Sequence, residues 1–136
     1  MVMNELFINF IKRLNQNKME INQLRIGNLV LNSWEGNNVE VTIDTLMSLE
    51  STGSNSKYKP IPLTEEWLLK FGFKKSNVYC FGNHKLIIES LMGDRHSCRY
   101  RVNPDESIWI SELHYVHQLQ NLYFSLVGEE LTFKSE

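Results

Sequence analysis

The spacing of hydrophobic and polar positions changes several times along the chain. Between residues 3 and 15, Met3, Leu6, Phe7, Phe10, Ile11 and Leu14 recur at helical spacing and predict one amphipathic helix. Asn15 and Asn17 break that pattern, and a second methionine, Met19, opens the next segment. Residues 1–18 therefore read in two ways: a helix that docks on the domain or a partner, or an extension ahead of a native start at Met19. From Leu29 the period becomes that of a strand. Leu29, Val30 and Leu31 lead into the turn cluster Glu35-Gly36-Asn37-Asn38, and Val39, Val41 and Ile43 then alternate with Glu40 and Thr42, which predicts a hairpin with one buried face. Asp44 is placed to cap a short helical turn over residues 45–49, and the Ser- and Gly-containing run after Glu50 is a surface loop.

The strongest local signal is the segment from Pro60 to Phe73. Thr64 suits an N-cap, Glu65 and Glu66 suit the positive end of a helix dipole, and Leu63 and Leu68 occupy the positions of a hydrophobic staple. Gly72 falls where a left-handed residue ends a helix, with Phe73 positioned to fold back on Leu68. An antiparallel four-stranded meander follows, with strands at 78–81, 84–91, 96–102 and 107–111 separated by Gly82-Asn83, Gly93-Asp94 and Asn103-Pro104-Asp105. A closing helix is expected over 112–127, ending at Gly128. Its apolar stripe is Tyr115, Leu119, Leu122 and Leu126, widened by Val116, Tyr123 and Val127, while His114, His117, Gln118 and Asn121 face away. The predicted class is α+β. A helix and hairpin unit is joined to a helix–meander–helix unit, with residues 19–136 forming a single domain.

Composition narrows the functional classes. The 136 residues are 42% hydrophobic and 22% charged, ordinary globular values, and aromatics reach 11%, enough to close a core or to build a stacking surface. A net charge of −2 supplies no global field toward phosphate backbones, which argues against general nucleic-acid binding. Two cysteines, Cys80 and Cys98, are too few for a secreted disulfide scaffold, and no signal-like or membrane-spanning run is present, so a cytoplasmic location is expected.

No nucleophile elbow, phosphate-cradling glycine loop or zinc-binding His-Glu helix is legible, and no cofactor is expected. The most metal-like set is Cys80, His84, His96 and Cys98, whose strands could bring them together. Zinc sites usually space both ligand pairs by two to four residues, however, and alternation with Tyr100 and Val102 makes a buried role simpler for the second pair. His114 and His117 lie three apart on one helix beside Glu112, and exposed helical histidines without a role are the commoner case. Arg99 and Arg101 share a strand face, with Lys85 and Arg95 on the neighbouring hairpin, and could clamp a phosphate or carboxylate. The alternative is a solvated sheet face balanced by Glu89, Glu106 and Glu112. Trp67 and Trp109 each have a place in the core, whereas Trp34 near the first turn is the tryptophan to watch for stacking.

Three stretches together, Leu24-Arg-Ile-Gly-Asn28, the segment from Pro60 to Phe73, and Tyr115 to Phe124 followed by Gly128-Glu-Glu-Leu131, resemble a family of small proteins of Bacteroidetes genomes and their phages. The resemblance spans roughly residues 19–131. It implies a bacterial or phage accessory protein encoded near mobile elements, and carries over no activity. The expectation is a non-enzymatic binding protein that acts on a host protein or as a homo-oligomer. The first alternative is a protein that sequesters a nucleotide-like anion through Trp34, Arg99, Arg101, Tyr115 and His117, and the second is a metal-dependent hydrolase.

Overall fold

The structure is a computed structural model and describes residues 19–53, 56–90 and 95–133, so the helix expected over residues 3–15 lies outside the described residues. The described chain is α+β, with three α-helices and two antiparallel sheets, and it divides at Ile61/Pro62 into two compact units.

In the first unit, β1 (Leu29–Asn32) pairs on one side with β2 (Asn37–Glu40) and on the other with the short β3 (Tyr58–Lys59). The Asn32 carboxamide closes the intervening turn by accepting from Trp34 N and Glu35 N, each at 3.2 Å. The second strand stops at Glu40, short of the expected Ile43, because Thr42 begins helix α1 (Ile43–Thr52). The Thr42 hydroxyl accepts from Thr45 N at 3.3 Å, and the Thr45 hydroxyl accepts from Thr42 N at 3.1 Å. A reciprocal cap of this kind typically stabilises a helix by about 1 kcal/mol. It displaces Asp44 from the capping role into the first turn, where its charge still suits the helix dipole. Leu24, Val30, Val41 and Leu49 form the core here, with Met19, Val39, Leu46 and Tyr58 against it.

The second unit opens with helix α2 (Glu65–Lys70), capped by the Thr64 hydroxyl as expected, at 3.4 Å from Trp67 N. Its end is a Schellman motif. Gly72, at φ 87°, donates to Leu69 O, Phe73 N donates to Leu68 O at 3.0 Å, and Leu68 and Phe73 are both buried. The sheet that follows has five strands in chain order, not four: β4 (Lys74–Asn77), β5 (Cys80–Gly82), β6 (Leu86–Ser90), β7 (His96–Asn103) and β8 (Glu106–Leu113). The additional strand β4 escapes a hydrophobicity pattern because all four of its residues are exposed.

Register fixes the two faces. Phe81, Leu86, Ile88 and Cys98 are buried on the inner face, each large apolar side chain contributing roughly 1.5–3 kcal/mol by leaving water. Strand β8 runs to Leu113, paired with His96, so the closing helix α3 (Val116–Val127) starts four residues later than expected. The Gln118 carboxamide then accepts from His114 N at 2.8 Å and Tyr115 N at 3.0 Å, and supplies the missing cap. The helix buries Val116, Leu119 and Tyr123 from its expected stripe. It also buries His117 and Gln120, so the buried face is rotated from the one that the apolar residues mark.

Candidate functional site

On the outer face of the five-stranded sheet, backbone pairing lines up Lys74, Gly82, Ile87, Arg99 and Trp109 in one row across all five strands. At the β4–β6 end of this row lies an open pocket of about 450 Å³, lined by Gly72, Lys74, Ser76, Gly82, Asn83, His84, Ile87 and Arg101. Three of these side chains are basic and none is acidic.

Asn83 organises the loop between β5 and β6. Its side-chain oxygen accepts from Lys85 N at 2.8 Å and Leu86 N at 2.7 Å. Its backbone oxygen accepts from Arg101 Nε at 3.0 Å. Arg101 thus reaches from β7 across β6 and lies over Gly82, where an added Cβ would stand 3.1 Å from Arg101 Nη2. The absence of a side chain at this position lets the guanidinium settle against the strand. With Nε held, the terminal nitrogens remain as a planar donor edge suited to a phosphate or carboxylate. Among the described residues neither Arg101 nor Lys74 forms a salt bridge.

Arg99 shares the outer face, but its guanidinium is turned to β8, where Nε donates to Ser107 Oγ at 2.9 Å and Nη2 to Ser107 O at 3.2 Å. Neither arginine pairs with Glu89, Glu106 or Glu112. Glu112 is taken by Arg95, whose bond holds the carboxyl below its ordinary range.

Of the other residues singled out by sequence, His84 alone lines this pocket. Trp34 belongs to the first unit and is 78% exposed, with the Lys57 ammonium 5.6 Å from its ring centre. Tyr115 and His117 stack at the start of α3, ring centres 5.8 Å apart and planes within 7°. His117 is buried, contrary to the expected outward position. Neither of its ring nitrogens has a hydrogen-bond partner among the described residues, and burial pushes its pKa down to about 4. Of the metal-like set, His84 lines the pocket and Cys80 is half-buried on β5, whereas His96 and Cys98 are buried on the inner face of β7. His96 is engaged through Nε2 with Leu63 O at 2.7 Å and through Nδ1 with Ser90 Oγ at 3.2 Å, and burial pushes the Cys98 thiol up to about 12. Among the described residues no group of three or more His, Cys, Asp or Glu side chains is placed to hold a metal ion.

Of the pocket lining, the sequence singles out Arg101 as a candidate anion ligand and His84 as part of the metal-like set, and it carries no site signal at Lys74, Ser76, Gly82 or Asn83. Gly82-Asn83 was legible as a turn; that its carbonyl would anchor an arginine 18 residues further on was not. Trp109, expected in the core, is 58% exposed and faces outward beside Arg99. Comparisons with family models, with curated proteins and with solved structures give no significant match to this chain.

Proposed function

We propose that this is a binding protein whose ligand is a small anion, taken up on the outer face of the five-stranded sheet. The supporting observation is the pocket of about 450 Å³, where among the described residues Lys74 and Arg101 have no carboxylate partner and Ser76, Asn83 and His84 add polar groups. Such a set neutralises and orients a phosphate or carboxylate group, and the anchored guanidinium loses little freedom when it does so. Calorimetric titration of the full chain with inorganic pyrophosphate tests the reading. Arg101→Gln removes a charge-assisted contact worth about 1.5–3 kcal/mol, so affinity should fall roughly ten- to a hundredfold. Equal affinity in the variant and the parent overturns the site.

A second reading, association with a host protein or a second copy of this chain, is favoured by β8. It is the last strand of its sheet, and Ile108 and Trp109 on it are exposed. It suits the phage accessory role that the family resemblance implies. Light scattering tests the self-association arm: a dimer that Trp109→Lys converts to monomer supports it, and a monomer at high concentration removes it.

A further inference from the structure

The row that enters the pocket continues beyond it. From Gly82 the paired positions run through Ile87 and Arg99 to Trp109, three strand spacings or about 14 Å away along the same face. Trp109 is more than half exposed although it lies mid-strand, and its indole Nε1 donates to Ser97 Oγ at 3.0 Å. That bond ties the ring to the sheet and leaves it little rotamer freedom to lose on contact. Between pocket and ring lies Arg99, its guanidinium held by Ser107. The next row, Cys80, Glu89, Ser97 and Glu112, carries the acidic side chains of this face, with Glu112 neutralised by Arg95. The cations Lys74, Arg101 and Arg99 therefore follow one line, with Glu89 in the row beside it, and the line ends on the exposed ring of Trp109.

An anion small enough to stay in the pocket would leave both Arg99 and Trp109 unused. We infer that the ligand is a nucleoside polyphosphate, its terminal phosphates between Lys74 and Arg101, its inner phosphate beside Arg99, and its base stacked on Trp109. The inference rests on the anion-binding reading and adds the aromatic end of the ligand to it. Bases stack on aromatic side chains with little regard to sequence because every base presents a π-face, and a cation beside the stack strengthens it.

Affinities of the full chain for inorganic triphosphate and for adenosine triphosphate separate the two claims. The nucleotide should bind about tenfold more tightly than the inorganic anion, the increment of one base stacked on an aromatic ring. Trp109→Ala should erase that advantage and leave inorganic triphosphate binding unchanged, whereas Trp109→Phe should keep most of it. Circular dichroism of each variant checks that the sheet is retained. Equal affinities for the two ligands in the parent, or an advantage that survives Trp109→Ala, would overturn the nucleotide inference while leaving the anion site standing. Failure of inorganic triphosphate itself to bind would overturn the anion site.

Discussion

His117 shows at the scale of one residue how burial and chemistry pull apart. Its ring is almost wholly removed from water, stacked on Tyr115, and makes no hydrogen bond among the described residues. A neutral imidazole in that setting costs free energy, and a charged one costs more, which is why its pKa falls to about 4. In the unfolded chain the same ring takes up its proton near its ordinary value of about 6.5. Between those two values the unfolded state binds more protons, so stability must fall as pH drops from about 6.5 to about 4. The full loss from this one group is on the order of 3 kcal/mol. His117→Leu should flatten that part of the stability–pH curve and match or exceed the parent at pH 7. Urea titrations across the window check it, and an unchanged slope between parent and variant would show that His117 is not the source.

Elements show why some of the structure was legible in the sequence and some was not. Helix α2 was readable from both ends because its cap, staple and Schellman glycine are local signals, set by residues within a few positions of each other. Strand β4 was not, since every residue on it is exposed and only pairing with β5 makes it a strand. The start of α3 lies later than its periodicity implies for a related reason: residues 112 and 113 belong to β8 because β7 offers them partners. The candidate pocket follows the same rule. Arg99 and Arg101 were visible as alternate residues of one strand, but the Asn83 carbonyl and Gly82 come together with Arg101 only through β6 pairing with both neighbours. Gly82→Ala is the sharpest probe of that arrangement. The new Cβ meets the flexible end of Arg101 at 3.1 Å and a backbone oxygen only at 3.6 Å, so the guanidinium gives way and the strand does not. Thermal stability should hold or rise by up to about 1 kcal/mol, as glycine-to-alanine changes within strands do. Pyrophosphate affinity should nevertheless fall several-fold. A variant that loses stability but not affinity would mean that the glycine serves the sheet alone.

For the whole molecule, a net charge of −2 means that any attraction for an anion is local, built from a few uncompensated side chains against an unfavourable background. The pocket and the row beyond it lie entirely within residues 62–133, in the second of the two compact units. Binding should weaken as salt rises, because exposed charges are screened over about 10 Å at 0.1 M ionic strength. The most direct measurement is an amide chemical-shift titration of the isotope-labelled full chain with inorganic pyrophosphate at low salt. The expected result is saturable movement of the Gly72, Lys74, Ser76, Gly82, Asn83, His84 and Arg101 amides, with those around Tyr115 and His117 still. Shifts that never saturate, or that fall elsewhere and leave the Asn83 loop unmoved, would contradict an anion site on this face of the sheet.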